Sequence, residues 1–351
     1  MMILLLLLVV LMSGCFNKGE ESQDTENTNG KQDNLEEKDP IQTDDNTFPL
    51  TGEQTHEAVD HRIVGVMVNN HPAARPQSGL SEADIVFEIL AEGSTTRFLA
   101  LFQSEQPDVV GPVRSAREYY FELTKGMGGL YVYHGAADVV QSIIDSRDID
   151  YLNGSIYDND GRLFKRESFR QAPHNSYLQF GAVYDVAESK GYGIDLATDT
   201  LPFIDESTDI DGDDATRMVV MYQGKDEQTG VEYIYNEQSD VYERYENQEQ
   251  TVELHSELPI EIDNVFVVET SHEVIDEQGR RAIDIDSGGN AYLLQKGHVQ
   301  AVEWTNDNGQ IIPMKDGEPV GFTPGKTWVN FVPTNPGLEQ SVKIWNGEKE
   351  G

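Results

Sequence analysis

The chain has 351 residues, of which 63 are acidic and 25 are basic, so its formal net charge is −38. It contains one cysteine. These counts exclude a fold held by internal disulfides and a metal site built from several cysteines, and they argue against nucleic acid as a partner. Because 38% of the residues are apolar, there is still material for a core, and the length suggests about two domains.

The first twelve residues are almost wholly aliphatic. This run is shorter than the roughly 20 residues that cross a hydrocarbon core, so we predict a secretory signal peptide over residues 1–14. It ends in Leu11-Met12-Ser13-Gly14-Cys15, which resembles a bacterial lipobox. That resemblance implies a lipid on Cys15 and anchoring at the extracytoplasmic face of the cell membrane.

A polar, acidic segment follows. Residues 16–60 contain thirteen acidic side chains, three lysines and very few aliphatic ones. Such a composition cannot bury enough apolar surface to offset the entropic cost of ordering. We therefore predict that residues 15–46 are the lipidated cysteine and a disordered acidic tether.

Residues 47–205 have the pattern of an α/β-type domain. Amphipathic spacing predicts helices after Ser115, around Val139 and from Tyr177, with Ser115 and Asn175 as helix caps. Several strands come before the first helix, which favours a mixed sheet. Continuous apolar, β-prone runs predict strands buried on both faces at Arg62–Asn69, Ile85–Leu90, Arg97–Phe102 and Leu130–Tyr133.

The pattern changes after an acidic linker at residues 206–215. Residues 216–351 contain short strand-like runs separated by turn residues, which is typical of a β-rich domain such as a sandwich or small barrel. The predicted fold class is therefore α+β, with a mixed-sheet N-terminal domain followed by a β-rich C-terminal domain.

The first candidate binding cluster leaves the end of a predicted buried strand. It comprises Asn69, Asn70, Arg75 and Gln77, on a loop that two prolines stiffen. Binding residues often lie on such loops. The alternative is that these amides only satisfy backbone groups in a long connection.

The second cluster lies at a predicted helix start. It contains Arg114, Ser115 and Arg117, and nine of the thirteen arginines fall between Arg62 and Arg170. Guanidinium groups beside a helix N-terminus favour a carboxylate or phosphate ligand. The alternative is that these arginines pair with neighbouring carboxylates and brace the fold.

Two histidines also follow or precede predicted elements. His134 follows a predicted strand, the usual place for an active residue in an open sheet. His174 lies with Asn175 at a predicted helix start. A general acid–base site would need His134 and one carboxylate, for which the candidates are Glu82, Asp84 and Glu88.

The sequence predicts no metal and no cofactor. Residues 209–213 alternate carboxylates like a calcium loop, but glycine stands at the fourth position and Val220 at the twelfth. Gly325-Lys326-Thr327 ends like a phosphate-binding loop, but Val320 stands where that motif needs its first glycine.

Several ordered segments resemble one family. They are Asn69 to Asp84, Gly111 to Arg117, His134-Gly135, Ala172 to Asn175 and Gly325 to Trp328, and they resemble the YerB-like lipoproteins of Gram-positive bacteria. The resemblance implies two successive domains of unknown function behind a lipid-anchored signal. It implies no established activity.

These observations favour a membrane-anchored binding or scaffold protein with an arginine-rich site for an anionic ligand, either cell-wall material or an envelope protein. One alternative is an envelope hydrolase that uses His134 and a carboxylate. Another is a purely structural protein–protein module.

Overall fold

A computed structural model describes residues 46–222 and 224–347. The predicted signal peptide, Cys15 and the tether up to residue 45 lie outside the described residues. The elements up to residue 205 are β1 (Asn46–Thr47), β2 (Gln54–Thr55), β3 (Val64–Asn69), β4 (Ile85–Glu92), β5 (Thr95–Phe102), β6 (Val109–Val110), α1 (Glu118–Gly126), β7 (Leu130–Tyr133), α2 (Asp138–Ser146), β8 (Tyr151–Asn153), β9 (Phe164–Arg166), β10 (Ser176–Gln179) and α3 (Val183–Ser189), with 3₁₀ turns at Pro72–Ala74, Leu80–Glu82 and Phe180–Ala182.

Strands dominate the second half, in which the one described helix is short. The elements are β11 (Asp213–Asp214), β12 (Arg217–Val220), β13 (Val231–Asn236), β14 (Val241–Glu246), β15 (Glu249–Gln250), β16 (Glu261–Ile262), β17 (Asn264–Thr270), β18 (His272–Val274), β19 (Arg281–Ile283), β20 (Gly289–Gln295), β21 (His298–Asp307), β22 (Gln310–Lys315), β23 (Glu318–Pro319), β24 (Thr327–Pro333), α4 (Leu338–Ser341) and β25 (Val342–Trp345).

A large mixed sheet forms the centre of the protein. Its strand order is β23-β22-β21-β20-β17-β24-β4-β5-β3-β7-β8, and β11 pairs with β21. The strands β3, β7 and β8 are parallel to one another, as are β17, β24 and β4. A second, antiparallel sheet has the order β15-β14-β13-β12-β25, with β16 beside β14.

Both faces of the central sheet are covered. The antiparallel second sheet packs on one face, where Met218 and Tyr233 join a core with Val66 and Val86. On the other face, Tyr120 of α1 and Ile144 of α2 pack against Met67 and other sheet residues. A strand covered on both faces must be apolar on both, which explains why β3 is an uninterrupted buried run.

The predicted α+β class is confirmed, because the chain is mostly strands with few helices and the central sheet is mixed. Strands from before and after residues 206–215 pair within that sheet, since β24 lies between β4 and β17. The domain boundary at residues 206–215 therefore remains a prediction from the sequence pattern. Within the described residues, no helix is long and apolar enough to cross a membrane.

The structure corrects two predicted helix caps. The helix α1 begins at Glu118 with Arg117 as its N-cap, so Ser115 lies too early in the chain to cap it. Tyr177 lies in β10, and the helix α3 begins only at Val183. Asn175 is therefore a loop residue, and its side-chain oxygen accepts a hydrogen bond from Arg166.

Candidate functional site

Three parallel strands end at the same edge of the central sheet. Asn69 ends β3, Asn153 ends β8, and His134 follows β7 directly. The loop formed by residues 111–117 crosses this edge, because the Arg114 amide donates to Met67 and the Arg114 carbonyl accepts from His134, each at 2.9 Å. The carboxyl edge of parallel strands is the common position of ligand sites in open sheets.

Arg114, Ser115, His134 and His174 form what we call the open cluster. Arg114 is half-buried, and none of the described residues makes a hydrogen bond or ion pair with its guanidinium. The Ser115 hydroxyl also has no hydrogen-bond partner among residues 46–222 and 224–347. Gly135 has a φ of +79°, and a Cβ there would stand 3.4 Å from the Ser155 hydroxyl and 3.8 Å from that of Ser115. The positive φ, rather than lack of space, is what favours a glycine between the two hydroxyls.

The two histidines of the open cluster are held by neutral partners. His134 Nδ1 lies 2.8 Å from the Ser176 hydroxyl, and His174 Nδ1 lies 2.7 Å from the Asn69 amide nitrogen. The His174 ring also stacks on His71, with centroids 4.7 Å apart. Since the Asn69 amide donates to Nδ1, neutral His174 carries its proton on Nε2.

Burial and nearby cations lower the pKa of both histidines. For His134 the chief cause is desolvation, followed by Arg166, with Asp158 opposing and Arg114 adding to the decrease. For His174, desolvation comes first and is followed by His71, Arg114 and Arg170. Both imidazoles are therefore neutral at pH 7, and Arg114 supplies the fixed positive charge.

More positive charge lies next to Arg114. Arg97 and Arg117 both form ion pairs with one carboxylate, Glu92. Their side chains are only 7% and 9% exposed. Burial first, and the neighbouring Arg97 second, lower the pKa of Arg114 to about 10. Two arginines thus share one carboxylate partner while Arg114 beside them has none among the described residues, which leaves this region cationic in a strongly acidic protein.

A contrasting group of charges lies between the central and second sheets. We call Arg75, Glu88, Lys225, Arg244 and Glu246 the paired cluster. The Arg244 guanidinium lies 3.0 Å from carboxylate oxygens of both Glu88 and Glu246, and all three side chains are at most 5% exposed. Arg75 contacts Glu246 at 2.7 Å, and Lys225 pairs with the same carboxylate.

Neutral side chains complete the hydrogen bonds of the paired cluster. The Trp328 indole and the Thr96 hydroxyl donate to Glu88, at 3.0 and 2.9 Å. Asn70 donates to Glu246 at 2.9 Å. Although burial opposes ionisation of Glu246, Arg244, Arg75 and Lys225 hold its pKa well below the usual range. The Glu246 carboxylate therefore stays charged, and both carboxylates have hydrogen-bond donors around them.

The loop that carries the first candidate binding cluster, residues 69–77, contributes side chains to both the open cluster and the paired cluster. Asn69 contacts the open cluster through His174, whereas Asn70 and Arg75 belong with the paired cluster. The Gln77 amide donates to the backbone carbonyl of Asn69 at 3.0 Å.

Among the described residues, the three carboxylates considered for an acid–base site with His134 do not contact its imidazole. Asp84 lies at the start of β4, the opposite edge of the sheet from His134, and accepts bonds from the Gln103 and Ser104 backbone amides. Glu82 lies two residues before it, and Glu88 is held by Arg244. Over residues 46–222 and 224–347, no hydrogen bond or ion pair joins His134 to any of these three carboxylates.

Several residues in or beside these clusters were not identified from the sequence. Arg244 and Glu246 lie on the alternating strand Val241–Glu246 and point to the same face, where they are buried. A strand whose inward positions are charged is the signal that could have found them. Ser155 stands in a polar turn after β8 and gave no such signal.

The open cluster has the chemistry of an anion site rather than of a metal site. Its donors are a guanidinium, the Ser115 hydroxyl and neutral imidazoles, and the neighbouring Ser155 adds a second hydroxyl; all of these suit an oxyanion. In the described part of the chain, no group of three or more His, Cys, Asp or Glu residues is placed to hold a metal ion.

Comparison with known proteins identifies the family. Residues 50–193 match the N-terminal domain, and residues 218–329 the C-terminal domain, of a family described as "Protein of unknown function (DUF3048)". A Bacillus subtilis (strain 168) protein described as "Putative lipoprotein YerB" is 45% identical over 287 residues, which cover 81% of this chain and 86% of that protein.

A solved structure gives the same result. The crystal structure of YerB protein from Bacillus subtilis superposes with a TM-score of 0.78 at 42% identity, and the match covers 85% of this chain and 99% of that one. The chain therefore belongs to the DUF3048 family, as a YerB-like protein with both domains of the family in order.

Proposed function

We propose that the protein is a membrane-anchored lipoprotein of the extracytoplasmic face that binds an anionic envelope ligand through the open cluster. The lipobox-like sequence that ends at Cys15 and the similarity to a B. subtilis protein described as a lipoprotein support the anchor. The observation that carries the binding role is the half-buried Arg114 guanidinium without a partner among the described residues.

An unpaired cation in a partly buried site has a physical cost. Removing a guanidinium from water without a counter-charge is unfavourable, so such groups are normally paired. Here the nearest arginines already compete for Glu92. A ligand with negative charge would supply the missing partner and would gain charge-assisted hydrogen bonds from the guanidinium fork.

A thermal-shift measurement tests the binding role. The full chain in zwitterionic nanodiscs would be titrated with muropeptides, teichoic-acid fragments and phosphate. A ligand at 100 times its dissociation constant stabilises the native state by about 2.7 kcal/mol. Arg114→Ala should lose this stabilisation and Arg114→Lys should keep part of it.

The control is Arg162→Ala, which removes an arginine that is 60% exposed and pairs with Asp185. It should retain the full shift. If no anion shifts the wild-type protein, the binding proposal is wrong and a protein–protein scaffold becomes the better account.

The anchor is tested separately. Cys15→Ser should move the protein from the membrane fraction to the soluble or secreted fraction, as measured by immunoblotting after fractionation. Wild-type distribution of this variant would contradict lipid attachment at Cys15.

A further inference from the structure

Two helices begin beside the open cluster. Arg117 is the N-cap of α1 and Ala137 is the N-cap of α2, and neither helix has a side-chain cap. The backbone connects the two starts, because the Ala116 amide donates to the Gly135 carbonyl at 3.0 Å. Free N–H groups at helix starts and the positive end of the helix dipole therefore add to the charge of Arg114.

The positive charge near this edge exceeds one unit. Arg97 and Arg117 share the carboxylate Glu92, and Arg114 lies near Arg97 without an ion pair to a described residue. The Nε of the nine-tenths buried Arg117 has no hydrogen-bond partner among the described residues. Arg170 donates to two neutral acceptors, the Tyr177 hydroxyl and the Pro76 carbonyl. Asp138, in the first turn of α2, is exposed and opposes this charge only from the surface.

Apolar side chains stand exposed on the same two connections. Val139, at the start of α2, is 61% exposed, and Ile156, just after β8, is 64% exposed. The connections meet where Gly135 approaches Ser155. These two side chains therefore offer apolar contacts to a ligand whose anionic head lies at the open cluster.

We propose that the open cluster binds a phosphate monoester joined to an apolar chain, the chemistry of a lipid phosphate at a membrane surface. This rests on the anion-binding function proposed above and names the class of ligand.

The donors suit a phosphoryl group better than a carboxylate. A planar carboxylate is satisfied by one guanidinium fork, whereas a phosphate monoester carries close to two negative charges and three oxygens that accept bonds from several directions. At this edge the donors come from separate elements: the Arg114 guanidinium, the Ser115 and Ser155 hydroxyls and the first turn of α2. The excess of positive charge matches a dianion.

Short water-soluble probes can separate the head group from the chain. Isothermal titration of the full-length protein in zwitterionic nanodiscs would compare inorganic phosphate, n-butyl phosphate and pentanoate. We expect n-butyl phosphate to bind about tenfold more tightly than inorganic phosphate, since a few buried methylenes are sufficient for such a gain. We expect it also to bind about tenfold more tightly than pentanoate, which has the same chain but a singly charged head group with fewer acceptor oxygens. Arg114→Ala should weaken both phosphate probes at least tenfold, and Arg114→Lys should weaken them less.

A variant at the apolar rim provides the matched test. Because Ile156 is exposed, Ile156→Ser should fold normally. It should lower the affinity for n-butyl phosphate towards that for inorganic phosphate and leave the latter unchanged. An exposed apolar residue elsewhere, Leu258 (64% exposed), gives the control Leu258→Ser, which should bind like wild type.

Each other result overturns a defined part of the proposal. Pentanoate binding as tightly as n-butyl phosphate would overturn the phosphoryl head group but keep anion binding. Equal affinity for inorganic and n-butyl phosphate would overturn the apolar chain and identify free phosphate as the ligand. Failure of all three probes to bind would overturn this proposal, and muropeptide or teichoic-acid binding would then decide whether the broader function survives.

Discussion

The two arginine-containing clusters differ in how their charge is balanced. In the paired cluster, Arg244 is 1% exposed and contacts two carboxylates, and both carboxylates have further donors. In the open cluster, Arg114 is half-buried and has no partner within the described residues. Arg244 thus links the central sheet to the second sheet, whereas the Arg114 guanidinium remains free to contact a ligand.

The contrast separates bracing from binding by a physical criterion. A buried ion pair contributes to the fold only while both partners remain, because removing one leaves an uncompensated charge. A cation that already lacks a partner can be removed at little cost. The sensitivity of stability to mutation should therefore decrease from the paired cluster to the open cluster.

The largest effect is expected at the centre of the paired cluster. Arg244→Met should lower the free energy of unfolding by about 3–5 kcal/mol, because it leaves Glu88 and Glu246 charged and buried. Urea denaturation followed by tryptophan fluorescence measures this. Adding Glu88→Gln to Arg244→Met should cost less than the two single losses together, and simple additivity would show that the two groups are not coupled.

An intermediate effect is expected at Arg117. Arg117→Ala should lower the free energy of unfolding by about 1–3 kcal/mol, since the side chain is nearly buried, pairs with Glu92 and donates to the Ala116 carbonyl. The matched control is Arg147→Ala, an exposed partner of α1 that should change stability by less than about 1 kcal/mol. Equal effects of the two variants in urea titrations would exclude a bracing role for Arg117.

Anion affinity should depend on pH through the protonation of His134 and His174. Their pKa values are lowered in the free protein, and a bound anion would raise them, so binding takes up protons and affinity increases as pH falls through 6.5 and below. Titration with sulfate, which keeps its charge from pH 8 to pH 5.5, should show up to about a tenfold gain. The double variant His134→Gln/His174→Gln should flatten the profile.

The lowered pKa values of these two histidines have the opposite effect on the stability of the ligand-free protein. Because the unfolded chain binds protons on these histidines more readily, the free protein should lose stability as pH falls below 6.5. His255→Gln, at an exposed position, is the control and should change neither profile. A sulfate affinity that is independent of pH would remove His134 and His174 from the site.

The smallest effect on stability is expected at Arg114. Arg114→Ala should change the free energy of unfolding of the ligand-free protein by less than about 0.5 kcal/mol, since no ion pair is lost. Denaturant titration without ligand measures this. A loss as large as that of Arg117→Ala would show that Arg114 braces the fold, and the distinction between the two clusters would fail.

The strands could be predicted because burial on both faces leaves a clear pattern. The runs ending at Asn69, Phe102 and Tyr133 are all strands of the central sheet. The runs of the second half are also strands, although their distribution among three sheets could not be predicted. Which strand pairs with which depends on contacts far apart in sequence, such as Thr327 beside Ile85, and no local pattern encodes them.

The side-chain partners were harder to predict for the same reason. Arg75 and Glu88 were candidates for ligand binding or catalysis, but their partners Glu246 and Arg244 lie more than 150 positions away. Local rules also failed at Ser115 and Asn175, whose hydroxyl and amide types suit helix caps but which precede an extended turn and a strand. Arg114, His134 and His174 were separate candidates from the sequence, whereas their proximity at one sheet edge required the fold.

The strand β24 has a consequence for how this protein can be made. It is formed near the end of the chain, at Thr327–Pro333, yet it occupies the middle of the central sheet between β4 and β17. While the chain is still being synthesised or exported, β24 is not yet available to pair with β4 and β17. We therefore expect the central sheet to form only after about the last fifty residues have emerged. In evolution, the two sequence domains would then have to be inherited as one piece, because a gene that lost the second would leave the first with an uncovered strand edge.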